Sequence, residues 1–409
     1  MAAPTPLPLP LPQTQLAVPQ TQLAVPQAQL AVPQTQLAVL VGPAGSRLAT
    51  APVPAPGAHE VLIATAVAAS NPKDWKIASG PKDGKIATWR YGAGEAFAEG
   101  NDVAGVVVAV GARGEDGDEG GYEREFAPGM RVGAFTKMGT RENKYGAYQQ
   151  YTVAPASTTF PIGDSTSFEE AATLPLAVMT AALGLFVRLG ASRPGEGEGE
   201  AAPATNYAIL INGAATSVGA FAVQLAKRAG LFVVGTAGAS GDYATELGAD
   251  VVVDYRDYGG KGEGEGMIDA LVAAAGGRPT PWALDAVSER GSALVLARAL
   301  DRLSSPTSER AAVATVLDVP AEQLAQFPPR VAYERIKVGT AYGEDERFAA
   351  EYYRKIARWL ADGSFRANRA RVMPRGLASV PEGLELLRAG KVHAEKLVYR
   401  IADTPGVEA

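Results

Sequence analysis

Ile209-Leu-Ile-Asn-Gly213-Ala-Ala-Thr-Ser-Val-Gly219, with Val223-Gln-Leu-Ala-Lys227 behind it, decides the fold. The apolar residues before Gly213 read as a strand, and a helix opens within a few residues of it. The tight turn between them carries Ala215. It aims the backbone N–H groups of Thr216, Ser217 and Val218 at one point, where the helix dipole adds partial positive charge. The two hydroxyls add donors, and Gly219 lets the helix lie close against the strand. Such a turn suits a pyrophosphate. The stretch departs from strict G-x-G-x-x-G, having Ala215 and Ser217 near the middle glycine, so its reading rests on the strand–helix–strand context.

That context extends in both directions. Tyr207–Asn212, Leu231–Thr236, Val251–Tyr255 and Trp282–Val287 read as strands. Ser217–Ala229, Asp242–Leu247 and Ile268–Ala275 read as helices between them. The alternation predicts a doubly wound parallel sheet with helices on both faces. Upstream, from about residue 36, apolar runs separated by Gly and Pro predict a small, mostly antiparallel barrel, with strands at Leu37–Val41, Val61–Ala68, Asp102–Val110 and Tyr148–Val153 and another entered from Gly129. Phe168–Leu189 reads as one helix, with Ser167 as N-cap and Glu170 three residues on. A long helix, Asp345–Leu360, and a closing strand, Lys396–Ile401, end the pattern. The expected organisation is a repetitive arm without a fold of its own (1–35), a first barrel segment (36–178), the nucleotide-binding sheet (179–343) and a closing barrel segment (344–409).

The arm repeats Gln13-Thr-Gln-Leu-Ala-Val-Pro19 with a period of seven, and a proline in each unit forbids a coiled coil. Gly114–Gly121, Pro194–Pro203 and Gly259–Gly266 are rich in Gly and acid and are expected to be solvated loops. The chain has 409 residues, a net charge of −6, no cysteine and two histidines, His59 and His393. Disulfides, thiol nucleophiles, cysteine-held zinc and multi-histidine metal sites are therefore excluded. The acidic balance argues against nucleic acid and anionic membrane as partners. No apolar run is long enough for a membrane span, and a cytoplasmic location is the expectation, as monomer or homodimer.

The second strand decides between nucleotides. It runs into Gly235-Thr-Ala-Gly-Ala-Ser240 without an acid that would hold both ribose hydroxyls, which favours NADP over NAD. The phosphate would meet Gly238, Ala239, Ser240 and Gly241, although Leu231–Tyr255 contains no Lys or Arg. Tyr255 is placed to pack on the adenine, and Asp242 reads as a helix-start residue. A second polar cluster, Ser70-Asn-Pro-Lys-Asp-Trp-Lys76, follows the strand Val61–Ala68.

With these stretches assembled, the chain resembles the medium-chain dehydrogenase/reductase superfamily, in its zinc-free, quinone-reductase-like branch, and within it the fungal trans-acting enoyl reductases that partner polyketide synthases. The resemblance is carried by Asn71-Pro-Lys-Asp-Trp-Lys76, Gly100-Asn-Asp-Val-Ala-Gly-Val-Val-Val-Ala-Val-Gly111, Gly129-Met-Arg-Val132, Gly146-Ala-Tyr-Gln-Gln-Tyr151, Glu169-Glu-Ala-Ala-Thr-Leu-Pro175 with Thr180-Ala181, the Gly213–Gly219 turn, Val253-Asp-Tyr-Arg256 and Gly390-Lys-Val-His-Ala-Glu-Lys-Leu-Val398. It implies a GroES-like catalytic domain interrupted by a Rossmann domain, with the active site in the cleft between them and NADPH as hydride donor. Carried over by position, Lys73, Asp74, Trp75, Lys76, Ala215–Val218, Gly238–Gly241, Tyr255, Val392 and His393 are cofactor-contacting, the last two where many members have Ser-Gly and this chain has His393-Ala394. Metal-free reduction of a double bond conjugated to a carbonyl needs donors at the carbonyl oxygen and a proton at the α carbon. Lys76 and Thr180 are the catalytic candidates. His393 has the chemistry of a proton donor and the position of a solvent-facing residue. Three readings stand: an enoyl reductase acting on a free or carrier-bound polyketide intermediate, a quinone or enone reductase, and a non-catalytic nucleotide-binding protein.

Overall fold

A computed structural model describes residues 32–42, 44–78, 95–112, 121–194, 205–259, 264–303 and 311–407. The first three seven-residue repeats lie almost wholly outside them, as do nearly all of the first two Gly-and-acid tracts, whereas the fourth copy, from Gln34, runs into the strand Thr35–Gly42.

Two sheets form a β-rich lobe. The larger runs Ala370–Val372, Lys396–Arg400, Glu60–Ala69, Asp102–Val110, Arg131–Phe135, Thr159–Pro161, and Tyr151–Pro155 also pairs with Glu60–Ala69. Its pairings are antiparallel except the one between its two late strands. The smaller sheet sets Thr35–Gly42 between Gly45–Pro52 and Phe97–Ala98. The second lobe is a six-stranded, wholly parallel sheet in the order Val251–Asp254, Phe232–Ala237, Ala208–Asn212, Trp282–Asp285, Ala311–Thr315, Val331–Arg335. The order reverses beside Ala208–Asn212, the first strand of the set, and open α/β sheets take their ligands at such a switch point. The α/β class and the pairing of a GroES-like lobe with a Rossmann-like sheet are as expected from the sequence.

One buried core runs through both lobes. Phe135 and Phe160 of the barrel join Met179, Leu183, Phe221, Tyr352 and Tyr353 in it. Phe160 stacks on Tyr353 at 5.2 Å, and the Tyr353 hydroxyl donates to the Pro175 carbonyl at 2.8 Å. Tyr352 and Tyr353 come from the long helix Glu346–Ala361, so the segment after the parallel sheet locks against the strands before it.

Three elements depart from expectation. The helix expected over Phe168–Leu189 is broken. The Ser167–Glu170 capping box forms, but the first helix stops at Ala172. Pro175 has no N–H to continue the ladder and opens a new helix, Pro175–Ala182, which passes into a π-helical turn, Leu183–Arg188. Tyr148–Val153 is not one strand: Tyr148–Gln150 bridge to the smaller sheet, the Tyr148 carbonyl accepting from Val39 N–H at 2.8 Å, and the strand of the larger sheet is Tyr151–Pro155. The third Gly-rich tract ends as a helix start, not a loop. Glu265 lies in the first turn of Glu265–Ala274, whose Met267, Ile268 and Leu271 face the core.

Candidate active site

The phosphate turn is built by close approach. Gly213 has φ +74°, and a Cβ there would stand 2.6 Å from the Val287 side chain. A Cβ on Gly219 would lie 2.1 Å from the Gly213 carbonyl oxygen, so the helix Ser217–Arg228 rests directly on the turn. Thr216 is its N-cap. Its Oγ1 accepts from Gly219 N–H at 3.1 Å, and its own N–H donates to Gly213 O at 2.9 Å. Thr216 therefore spends its backbone donor inside the turn. The N–H groups of Ser217 and Val218, in the first helical turn, have no carbonyl one turn back within the helix. The geometry fits an anionic ligand there: a glycine-lined cradle that a side chain would fill, at a twelve-residue helix start.

The loop after the second parallel strand lies beside Tyr255. A Cβ on Gly238 would be 2.7 Å from the Tyr255 hydroxyl, so the Tyr255 phenol covers the start of Gly238–Gly241. Ser240 precedes the short helix Gly241–Glu246, and Asp242 stands in its first turn as a helix-start residue. Asn212, Thr236 and Asp285 tie the strand ends together. The Thr236 hydroxyl donates to Asn212 Oδ1 at 2.6 Å and accepts from Gly213 N–H at 3.1 Å. Asn212 Nδ2 donates to Asp285 Oδ1 at 2.8 Å. Burial pushes the Asp285 carboxyl up against the opposing bonds from Asn212, Ser292, Ser288 and Val287.

On the barrel lobe, the Asn-Pro-Lys-Asp-Trp-Lys run opens the helix Pro72–Ala78. Asp74 is fully buried and accepts from Asn71 N–H at 2.8 Å, the Tyr148 hydroxyl at 2.7 Å and Lys73 Nζ at 2.6 Å. Burial first, then the Asp74 charge, holds the Tyr148 phenol well above its ordinary range. Ser70 joins Tyr148 and Tyr399, at 2.8 Å each. Beneath them, Lys396 binds Asp102 and Asn71 Oδ1, Asn71 Nδ2 reaches Asp102 at 2.8 Å, and Asp102 Oδ1 accepts from Leu176 N–H at 2.7 Å. The loop before Lys76 is thus pinned by the buried charges of Asp102 and Lys396 and by the hydroxyls of Tyr148 and Tyr399, while Trp75 packs on the barrel core.

Lys76 points the other way. Its Nζ lies 2.8 Å from Glu289 Oε1, in the loop after Trp282–Asp285, and 5.6 Å from the Trp75 ring centroid. The structure thereby brings Lys76 to the parallel sheet, on the loop whose Val287 contacts Gly213. Thr180 is 5% exposed and donates to Leu176 O, one turn back in its helix, at 2.7 Å. Val392 packs against the barrel core and His393 is exposed; Ala394 has φ +51°, a left-handed conformation. Asp102, Tyr148, Asp285, Glu289 and Lys396 were not singled out by sequence. Asp285 carried a signal, an acid ending an apolar strand at the edge where open α/β sheets meet ligands. The others gain their meaning from partners tens to hundreds of positions away. Among the described residues no group of three or more His, Asp or Glu is placed to hold a metal ion.

Residues 57–164 match the alcohol dehydrogenase GroES-like domain. A trans-enoyl reductase of Aspergillus sclerotiorum is 30% identical over 356 residues, covering 83% of this chain and 92% of the relative. The chain belongs to the trans-enoyl reductase family. A second trans-enoyl reductase, from Gibberella fujikuroi, is 28% identical over 79% of this chain and 86% of its own. The crystal structure of CurK enoyl reductase superposes with a TM-score of 0.67 at 19% identity, covering 90% of this chain and 99% of that one, which extends the likeness of fold across both lobes. This trans-enoyl reductase relative is an oxidoreductase on the medium-chain dehydrogenase/reductase fold. No helix among its described residues is long and apolar enough to cross a membrane.

Proposed function

We propose that the protein is a metal-free, NADPH-dependent enoyl reductase whose substrate is the α,β-unsaturated thioester of a polyketide intermediate, presented by a polyketide synthase in the cytoplasm. The observation that carries the reading is Lys76 at the seam between the lobes, one loop from the glycine-lined phosphate turn, in a chain 30% identical to a trans-enoyl reductase. Family membership and the absence of cysteine support it further.

NADPH would lie along Ala215–Val218, with Gly238–Gly241 and Tyr255 at its adenosine end and Lys73–Lys76, Val392 and His393 towards the nicotinamide. When bound it supplies the hydride for the β carbon. The Lys76 ammonium would stand where negative charge builds on the thioester oxygen and stabilise it there, and the enolate so formed would take its α-carbon proton from water. Thr180 adds a hydroxyl only by turning away from Leu176 O, and it is the lesser contributor. Asn71 and Asp74 hold the Lys76 helix in place. The acid-free end of the strand Phe232–Ala237 favours the 2′-phosphate, which a carboxylate would repel.

Two measurements on the purified chain test this. Fluorescence titration gives tighter binding of NADPH than NADH; equal affinity or a preference for NADH refutes the NADP assignment. Steady-state oxidation of NADPH is faster with an α,β-unsaturated thioester than with a quinone. A preference for quinone makes the protein a quinone reductase. Tight NADPH binding without turnover of thioester, enone or quinone makes it a nucleotide-binding protein.

A further inference from the structure

The loop that meets Lys76 is held in an unusual shape. Ser288 and Arg290 have φ +56° and +55°, and Gly291 has φ +77°. Left-handed backbone in two non-glycine residues is costly and persists only where the surroundings impose it. Here they do. The buried Asp285 carboxylate accepts from Val287 N–H at 3.1 Å, Ser288 N–H at 2.8 Å, the Ser292 hydroxyl at 2.6 Å and Asn212 Nδ2 at 2.8 Å. The Ser288 hydroxyl donates to Asp285 O and accepts from Val316 N–H, both at 2.9 Å, which fastens the loop to the next strand. The residue this scaffold carries outward, between its two left-handed neighbours, is Glu289. Its carboxylate crosses to the other lobe and takes the Lys76 ammonium at 2.8 Å.

We propose that Glu289 is the positioning residue for Lys76. A lysine side chain has four free torsions and a large rotamer entropy, so an ammonium meant to meet an oxygen at a fixed place needs an anchor. Glu289 supplies it from the lobe that carries the phosphate turn. The same Asp285–Asn212 bond that shapes the loop also holds the residue preceding Gly213. The ammonium of the barrel lobe is thereby registered against the nucleotide turn of the sheet lobe, across a seam that no strand pairing among the described residues spans.

The inference rests on the enoyl reductase reading for its kinetic arm, and it has a second arm that does not. In the kinetic arm, Glu289→Gln lowers kcat by about 10-fold, because a reacting group released from its position loses rate rather than binding. Its Kd for NADPH stays within about 3-fold of wild type, and Glu289→Asp recovers part of the loss. In a Lys76→Ala background the same Glu289→Gln change costs nothing more, since its effect passes through the lysine. In the second arm, melting temperature is read on the ligand-free chain. Glu289→Lys and Lys76→Glu each lower it, and the exchanged pair Lys76→Glu with Glu289→Lys restores it. Wild-type kcat in Glu289→Gln, an equal further loss in the Lys76→Ala background, or an exchanged pair as unstable as the sum of the singles overturns the proposal. A wild type without turnover on any thioester, enone or quinone overturns the enzyme reading instead, and the melting arm then decides the pairing by itself.

Discussion

Two residues of the candidate site carry donors of different kinds, and the structure separates their expected weight. The Lys76 ammonium has an acidic partner on the facing lobe, whereas the Thr180 hydroxyl is already given to its own helix. Lys76→Ala should lower kcat by about 10–1000-fold, as the loss of an oxyanion donor does, with a smaller change in NADPH affinity. Thr180→Val should cost under about 10-fold, because the bond it removes is a local one to Leu176 O. Steady-state kinetics with an enoyl thioester beside a cofactor titration checks both. A larger loss for Thr180→Val than for Lys76→Ala would reverse the assignment. Ala394 presents another kind of residue-scale fact. Its φ of +51° is a conformation that a Cβ opposes, in the Lys391–Lys396 segment beside the exposed His393. Ala394→Gly relieves that opposition and loosens the unfolded chain, two effects of opposite sign. The relief is the larger, so the variant should be more stable by about 0.5–1 kcal/mol, seen in urea unfolding as a higher midpoint at unchanged slope.

The helix Ser217–Arg228 shows how an element sets a site. Its first turn is placed by contact with Gly213, and Gly219 is the point of contact. Gly219→Ala would drive a Cβ into a backbone oxygen that cannot swing aside. It should destabilise the fold by about 1–3 kcal/mol and weaken NADPH binding by more than Thr216→Ser, which keeps the capping oxygen. Calorimetric titration with NADPH checks this, and unaltered affinity in Gly219→Ala would remove the turn from the cofactor site. The same element was plain from sequence, because an apolar strand, a glycine and a hydroxyl-rich helix start are local signals. The alternating strands and helices after it were plain for the same reason. Other elements were not. A largely apolar run from Leu174 to Val187, interrupted only by Thr180 and Gly184, hides the break at Pro175, whose neighbour Leu176 sends its N–H to Asp102, 74 positions earlier. Tyr148 alternates well enough for a strand, yet its hydroxyl is taken by Asp74 and Ser70 in the core. Lys76 and Thr180 drew attention by chemical type and family position. Glu289 lies 213 positions from its partner and sits in a polar run that reads as an ordinary loop. Pairings at that range are made by topology, and single-chain patterns record only what is near.

At the scale of the molecule, acid stability depends on a buried carboxylate far from the nucleotide turn. Glu60 begins the long barrel strand and is 5% exposed. Burial pushes its carboxyl up, but bonds from the Tyr145 hydroxyl, the Gly57 N–H and Lys144 together outweigh burial and hold it below its ordinary 4.5. A carboxyl whose folded value is depressed adds stability above its unfolded value, and that stability drains away as pH falls through the folded one. The melting temperature should therefore drop as pH is taken from about 6 to below about 4. Glu60→Gln should melt lower at neutral pH and lose less on acidification; an identical acid-limb profile in both would show that other carboxylates govern it. The late strand Lys396–Arg400 bears on a different event, the synthesis of the chain. It pairs with Glu60–Ala69, and Lys396 neutralises Asp102, which is fully buried. While the polypeptide leaves the ribosome, Asp102 waits for a counter-charge 294 positions behind it. The parallel sheet has every strand it needs in residues 208–335 and can close first. The barrel, begun earlier, must finish later, with the Val67–Ala69 end of its central strand open on one edge until Lys396–Arg400 has been made. A nascent chain stalled before residue 396 would carry a formed nucleotide lobe beside a strand unpaired on one edge at Val67–Ala69 and a buried acid without its counter-charge, the state in which chaperone capture or premature aggregation competes with completion.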